Sequence, residues 1–244
     1  MTDSPLLGGR LRIRQPRDGY RYAVDSLLLA WFVLSRVRPG GATRGLELGG
    51  GCGVVTALVL AGRGASRADV VELQPLYHEA AQATAELCGL GERMACHLAD
   101  LRRLPSGFPG PRPALVWSNP PYHPLGRGRV PPLTPAAVAR HEVEATLGDV
   151  LDAASRLLPS RGRLFLTYPA ARLGEVLAGL PAHHLVPTRL VLAWSDEARD
   201  ASRLLLEARK AVRSPLSVGP PLRIHDGEGG YGAWYRELCQ RIGE

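Results

Sequence analysis

Residues 44–62, RGLELGGGCGVVTALVLAG, decide the fold class. A strand-like apolar run leads into a cluster of glycines, and a helix-like apolar run follows and ends at Gly62. Glycines in such a turn let backbone N–H groups approach a ligand, because no Cβ atom stands in the way. A strand, a glycine turn and a helix in this order favour a nucleotide-binding α/β unit.

The glycine spacing narrows this interpretation. Gly49, Gly51 and Gly53 follow a GxGxG pattern. The dinucleotide-binding fingerprint GxGxxG would need a glycine at the next position, where the chain has Val54. Glycines also mark ordinary turns, so the loop alone does not identify a ligand.

The rest of the chain extends the α/β pattern. Residues 11–22, LRIRQPRDGYRY, alternate apolar and basic side chains and predict a strand or hairpin with a turn near Asp18 and Gly19. Residues 24–36 predict a helix. Strand-like and helix-like segments then alternate, and the last two strands could pair directly. We therefore expect a mostly parallel seven-stranded sheet with helices on both faces.

This pattern predicts one catalytic domain with a short N-terminal extension. We expect residues 1–40 to form an N-terminal extension, a hairpin plus a helix, that packs on a catalytic domain of residues 41–244. The tail from residue 212 is rich in proline and glycine before it closes with an amphipathic segment, YGAWYRELCQRI.

Two acids follow the glycine loop at the ends of predicted strands. Glu72 ends the next strand, 19 residues beyond Gly53, where a carboxylate can accept hydrogen bonds from both ribose hydroxyls of a nucleoside. Asp100 ends the third strand, where it can reach an adenine amino group. The carboxyl ends of parallel strands share one crevice. The alternative is that both acids cap the helices that follow them.

The glycine loop, Glu72, Asp100 and then the sequence NPPY at residues 119–122 resemble, in this order, the motifs of class I S-adenosylmethionine-dependent methyltransferases. The resemblance implies a Rossmann-like fold, S-adenosyl-L-methionine as the cofactor and no metal. It also implies a set of cofactor-binding residues, namely Asp25, Glu47, Gly49, Gly51, Gly53, Glu72, Asp100 and Asn119. Asp25 has an alternative role as an acid in the first turn of its helix.

NPPY resembles the signature of enzymes that methylate an amide or an exocyclic amino nitrogen, and the expected catalytic residues are Asn119, Pro120, Pro121 and Tyr122. Such a nitrogen is a poor nucleophile, because its lone pair is delocalised. The Asn119 amide oxygen and the Pro120 carbonyl can hold the nitrogen with its lone pair towards the methyl group, and the prolines stiffen the loop. Tyr122 offers a face for stacking. The alternative is a proline-rich turn that ends a strand.

Longer stretches narrow the family. Residues 19–32, GYRYAVDSLLLAWF, and residues 119–142, which end in Arg140-His141-Glu142, resemble bacterial tRNA1(Val) (adenine-N6)-methyltransferases. The segments LFLTYPAARLGEVL, LLLEARKA and PPLRIHDGEGGY continue the likeness. It implies N6 methylation of the adenosine 3′ to the anticodon of a valine tRNA. One departure is His123, which stands where the family usually has a second aromatic residue and should alter the edge of the acceptor pocket.

The charge agrees with an RNA partner. The net charge is +7 and the pI is about 9.7, which favours a polyanion, although 29 of the 30 basic residues are arginine and this bias can also reflect genome composition. The expected RNA-binding residues are Arg12, Arg14, Arg127, Arg129 and His123. The alternative is a solvated basic surface.

The cysteines and the lack of long apolar runs limit which metal sites and cellular locations we expect. The four cysteines form no CxxC pair and no zinc-like cluster, so we expect no metal. No signal peptide and no run of about 18–20 apolar residues is present, so we expect a cytoplasmic protein without a membrane partner, either monomer or homodimer. One alternative function is a release-factor glutamine N5-methyltransferase, disfavoured because only about 40 residues precede the first sheet strand. Another is a catalytically silent cofactor-binding module, disfavoured by the intact NPPY.

Overall fold

The computed structural model describes residues 1–17, 21–41, 43–108, 110–121, 145–196 and 198–243. Its strands are β1 Thr2–Leu6, β2 Leu11–Gln15, β3 Arg44–Leu48, β4 Arg67–Glu72, β5 Met94–Leu98, β6 Leu115–Ser118, β7 Arg163–Pro169, β8 Leu185–Trp194, β9 Arg203–Lys210, β10 Ser217–Val218 and β11 Leu222–Arg223. Its α-helices are α1 Val24–Arg36, α2 Val54–Ala61, α3 Pro75–Leu87, α4 Leu147–Leu157, α5 Leu173–Gly179 and α6 Ala233–Gly243. Short 3-10 helices cover Leu101–Arg103, Ala170–Arg172 and Pro181–His183.

One sheet organises the chain from β3 onwards. The strand order is β10-β8-β9-β7-β6-β3-β4-β5, and β11 also pairs with β8. All pairs are parallel except those of β9, which runs antiparallel to both β7 and β8. The predicted α/β class is confirmed, and all seven predicted strands, β3 to β9, are present. The two-residue strands β10 and β11 were not predicted, because their proline- and glycine-rich surroundings carry no alternating pattern.

Two apolar layers cover the two faces of the sheet. On one face, α1, α2, α3, α6 and the N-terminal hairpin share a core with side chains such as Trp117 and Phe165. On the other face, α4 and α5 pack on side chains such as Leu46 and Leu164. Strands that are buried on both faces need apolar residues at nearly every position, and this explains the continuous apolar runs of β3 and β6.

The N-terminal hairpin corrects one expectation. Its turn lies at Leu7–Arg10 and joins β1 to β2, so the hairpin turn is not near Asp18 and Gly19. The alternation of β2 was recognised, but its partner is the strand before it, and residues 18–20 lie outside the described ranges. The hairpin packs on α3, where the Arg14 backbone N–H donates to Thr84 Oγ1 at 3.1 Å.

Trp117 of β6 packs its ring beside Gly45 of the neighbouring strand β3. Its side chain is fully buried, and its ring occupies the space beside Gly45 where a Cβ atom would otherwise lie. Gly45 therefore lets a large ring fill the core two residues before Asn119. Within the parts of the chain that the structure covers, no helix is long and apolar enough to cross a membrane.

We predict that Gly45→Ala lowers the free energy of unfolding by about 1–3 kcal/mol, because a methyl group there overpacks against Trp117. Gly91→Ala is the matched control, since a Cβ atom at Gly91 would meet nothing within 4 Å. Urea unfolding of the two variants checks this. Equal stability of the two variants would contradict the packing of Trp117 on Gly45.

Candidate active site

A small open cleft, with a cavity volume of about 40 Å³, lies where β3 and β6 end. The glycine loop forms its floor, and Glu47 and Asn119 approach from the two strands. Tyr22, Ser26 and Tyr77 also line the cleft from outside the glycine loop and α2, and they were not singled out from the sequence. Pro75, which starts α3 just after Glu72, is the signal that could have placed Tyr77 at this edge.

The glycine loop has the backbone geometry that its sequence predicts. Gly49, Gly51 and Gly53 have φ values of 68°, 53° and 74°, in the left-handed region that favours glycine. A Cβ atom at Gly51 would meet nothing within 4 Å, so the loop presents backbone towards open space. Gly50, which was not among the predicted residues, is also required, because a Cβ atom there would collide with Val70.

Glu72 braces the glycine loop. Its Oε2 accepts a hydrogen bond from Gly51 N at 2.8 Å, and its Oε1 accepts one from Gln74 N at 2.8 Å. A carboxylate has about four acceptor sites, so each oxygen keeps a lone pair for a further donor. Within the described chain, no side-chain hydrogen bond caps α3, so the bond from Gln74 N does not make Glu72 a cap of that helix. Glu72 is not among the described residues that line the cleft, and its contact with the two hydroxyls of a ribose stays a prediction.

Asp100 is engaged with its own neighbour. It precedes the 3-10 helix Leu101–Arg103, and its Oδ1 accepts from Arg102 N at 3.0 Å and Arg102 Nε at 2.9 Å. Its Oδ2 accepts from Arg102 Nη2 at 2.8 Å. These hydrogen bonds hold the pKa of Asp100 below its ordinary value. The structure does not include Asp100 in the cleft, and the predicted adenine contact stays a prediction that requires Arg102 to move.

Glu47 is a buried acid at the base of the cleft. Its Oε2 accepts from Thr56 N at 3.1 Å and from Thr56 Oγ1 at 2.5 Å, and Thr56 Oγ1 accepts in turn from Trp117 Nε1 at 3.2 Å. Burial raises the pKa of Glu47 to about 7, although the Thr56 hydrogen bonds oppose this. A cationic ligand group in the cleft would lower that pKa and favour the carboxylate.

The Asn119 side chain places a hydrogen-bond acceptor in the cleft. Ser118 Oγ donates to Leu48 O at 2.7 Å, which ties the end of β6 to the end of β3. Asn119 Oδ1 is buried and has no hydrogen-bond partner in the described part of the chain. Such an atom costs about 1–3 kcal/mol. An N–H group of a ligand in the cleft would satisfy it. Pro120 is buried and Pro121 is exposed, whereas Tyr122 and His123 lie outside the described residues.

Asp25 is buried in the first turn of α1 and forms an ion pair with Arg203, whose Nε lies 2.8 Å from Asp25 Oδ1. The residue that follows it, Ser26, lines the cleft. This arrangement agrees with the first-turn alternative and links α1 to β9 beside the cleft. The predicted contact of Asp25 with a cofactor stays a prediction.

The N-terminal arginines do not adjoin the cleft. Arg14 is paired with Asp3, with Nη2 3.0 Å from Oδ2. Arg12 Nη2 lies 4.0 Å from the same Oδ2, and the Arg12 side chain is 60% exposed. Cys88 Sγ donates to Arg12 O at 3.3 Å, so this strand lies at the end of α3. Cys88 follows Tyr77 by 11 residues, or roughly 16 Å along a helix axis. The other expected RNA-binding residues, Arg127 and Arg129, and the Arg140-His141-Glu142 segment fall outside the described ranges.

A comparison with curated proteins identifies the family. A tRNA1(Val) (adenine(37)-N6)-methyltransferase from Porphyromonas gingivalis is 30% identical over 95% of this chain and 91% of the relative. One from Tolumonas auensis is 32% identical over 70% of this chain and 68% of the relative. The chain belongs to this family. The family expected from the sequence is thereby confirmed, although no family model matches the chain.

Solved structures agree on the fold. A predicted O-methyltransferase from Agrobacterium tumefaciens has a TM-score of 0.69 at 22% identity, over 87% of this chain and 96% of that one. The 16S rRNA N2 G1207 methyltransferase from T. thermophilus, solved with AdoMet and guanosine, has a TM-score of 0.59 at 19% identity, over 86% of this chain and 50% of that one. At these identities the likeness establishes the methyltransferase fold alone.

We predict that ionisation of Glu47 lowers the free energy of unfolding as pH rises. Burial raises the pKa in the folded state from its ordinary 4.5 to about 7. The contribution of Glu47 to the free energy of unfolding is therefore fully present below its unfolded-state pKa, and it is lost as pH rises through its folded-state pKa. That contribution amounts to about 3 kcal/mol.

Glu47→Gln should remove this part of the pH dependence, because the amide oxygen can still accept from Thr56 but cannot ionise. Urea unfolding at pH 5 and pH 8 measures it, with the exposed Glu79→Gln as the matched control. If Glu47→Gln and the parent lost the same stability between the two pH values, Glu47 would not be the buried acid described.

Proposed function

We propose that this chain transfers a methyl group from S-adenosyl-L-methionine to the exocyclic N6 amino group of an adenine in tRNA. The proposed acceptor is the adenosine 3′ to the anticodon of a valine tRNA. The family and its tRNA-modifying relatives support the acceptor class. The single observation that carries the chemistry is Asn119 Oδ1, a buried acceptor without a partner in the described residues, at the start of NPPY and in the wall of the cleft.

The residues around the cleft fit the cofactor. Glu72 has acceptor sites left for two ribose hydroxyls, and the glycine loop leaves open space in front of Gly51. Glu47, at the base, suits the ammonium of the methionine part, since a positive charge there would offset the burial of the carboxylate. When bound, S-adenosyl-L-methionine supplies an electrophilic methyl group on a sulfonium.

Asn119 and Pro120 bind and orient the adenine amine that accepts the methyl group. The adenine N6 lone pair is delocalised into the ring, so the site gains most by orienting the amine. Asn119 Oδ1 and the Pro120 carbonyl oxygen would accept hydrogen bonds from the two N–H groups of the amine, which aligns the nitrogen with the methyl group. Positive charge builds on nitrogen as the N–C bond forms and the S–C bond breaks, and the two oxygens stabilise it. The methylated nitrogen is acidic and loses its extra proton to water after the transfer, so no basic side chain is needed to activate the amine. Tyr122 remains the expected stacking partner for the adenine.

Asn119→Ala should reduce the single-turnover rate of methyl transfer to an unmodified valine tRNA transcript at least about 100-fold, by loss of a pre-organised polar group. Its affinity for S-adenosyl-L-methionine by calorimetry should stay near that of the parent. Gln82→Ala, which removes an exposed amide from α3, is the matched control.

A near-parental rate for Asn119→Ala would refute the assignment of NPPY. The assay also includes a release-factor peptide with its glutamine, because a side-chain amide would meet the same Asn119 oxygen. Methylation of the peptide, and none of the tRNA, would replace the proposed acceptor with the alternative one.

The exposed Arg12 should contribute a phosphate contact to tRNA binding, since a folded RNA extends well beyond the cleft. Arg12→Gln should weaken tRNA binding and reduce the slope of log K against log salt by nearly one unit, while cofactor affinity is unchanged. Arg213→Gln is the control, because this exposed residue follows β9, far along the sheet from α3. An unchanged slope for Arg12→Gln would remove Arg12 from the RNA surface.

A further inference from the structure

A buried hydroxyl lies on the strand next to Asn119. Strands β6 and β7 are parallel, and their register pairs Trp117 with Phe165 and Ser118 with Leu166. Continued by one residue beyond the end of β6, this register sets Thr167 opposite Asn119. Side chains alternate along a strand and neighbouring strands lie roughly 4.8 Å apart. Thr167 is therefore the lateral neighbour of Asn119, on the face that carries Trp117 and Phe165.

Both members of this pair carry a polar atom that the fold does not satisfy. Thr167 is fully buried, and its Oγ1, like Asn119 Oδ1, has no hydrogen-bond partner within the described ranges. Its partner on the other side, Leu205 of β9, is apolar. A buried polar atom without a partner costs about 1–3 kcal/mol. Two of them side by side, one in the wall of the cleft, are unusual, because buried polar groups are normally hydrogen-bonded.

Valine has the same shape as threonine and would avoid this cost, so a threonine at residue 167 indicates that its hydroxyl has a function. The Asn119 side chain is the polar group next to it in the sheet. An amide can turn about its last bond, and a neighbour that hydrogen-bonds to it restricts that rotation. A fixed amide would present Oδ1 to the amine in one orientation.

On this basis, and resting on the proposed function, we propose that Thr167 is a positioning residue for Asn119. Its hydroxyl oxygen accepts a hydrogen bond from Asn119 Nδ2 when the acceptor amine occupies the cleft, which leaves Asn119 Oδ1 for the amine. The bond satisfies a group that the ligand-free fold leaves unpaired and holds the amide plane during methyl transfer. Thr167 itself does not touch the acceptor or the cofactor.

Thr167→Val tests this with two readouts that move in opposite directions. The single-turnover rate of tRNA methylation should fall about 10-fold, while KM for tRNA and the affinity for S-adenosyl-L-methionine stay unchanged. The melting temperature should stay the same or rise, because an unsatisfied buried atom is removed. Thr167→Ser should restore most of the rate, since it keeps the hydroxyl. Thr188→Val is the matched control, because Thr188 Oγ1 donates to Glu207 O at 3.3 Å and so contributes to stability away from the cleft.

A double-variant cycle separates positioning from other roles. If Thr167 acts through Asn119, Asn119→Ala with Thr167→Val should be no slower than Asn119→Ala alone. The proposal would be overturned if the rate losses of the two single variants multiplied in the double variant, or if Thr167→Val kept the parental rate. It would also be overturned if Thr167→Val lowered the melting temperature and Thr167→Ser did not restore the rate. The parent is assayed first. A parent that does not methylate the tRNA would refute the proposed function, whereas an active parent with an equally active Thr167→Val would refute only the role of Thr167.

Discussion

The hydrogen bond from Gly51 N to Glu72 Oε2 joins the ends of two parallel strands, and the geometry of the cleft depends on it. It fixes the glycine loop against β4 in a left-handed conformation, with open space in front of Gly51. The strand order places β6 on the other side of β3, so Asn119 meets the same loop from the opposite direction. The proposed sites of the methyl donor and of the methyl acceptor thus share one edge of the sheet, as expected for open α/β folds.

The same edge collects polar groups that lower stability. Glu47 is buried with a raised pKa, and the polar side-chain atoms of Asn119 and Thr167 lack partners in the described chain. Elsewhere in the core, Glu207 forms ion pairs with Arg36 and Arg163, whereas the buried Arg209 Nε has no hydrogen-bond partner in the described chain. A ligand in the cleft can complete the groups beside it, and two unsatisfied atoms at this edge agree with a functional site.

Much of the fold and part of the site follow from local sequence. The glycine loop, Glu72 and Asn119 were predictable, because each directly follows a clear strand and parallel strands bring their ends together. The hairpin turn was misplaced because the partner of β2 precedes it and carries little strand pattern. Two features could not be predicted from the sequence, because they depend on three-dimensional packing. They are the hydrogen bonds between Asp100 and Arg102 and the distance of Arg12 from the cleft. Thr167 looks like any strand threonine until register and burial set it beside Asn119.

The most direct test of the account is nucleoside mass spectrometry of a valine tRNA lacking modification, incubated with the purified protein and S-adenosyl-L-methionine. The account predicts one N6-methyladenosine per tRNA, which fragment mapping should locate at the adenosine 3′ to the anticodon. A tRNA in which that adenosine is replaced by guanosine should gain no methyl group. Methylation at another base or at a ring nitrogen, or none at all, would contradict a site built to hold an exocyclic amine.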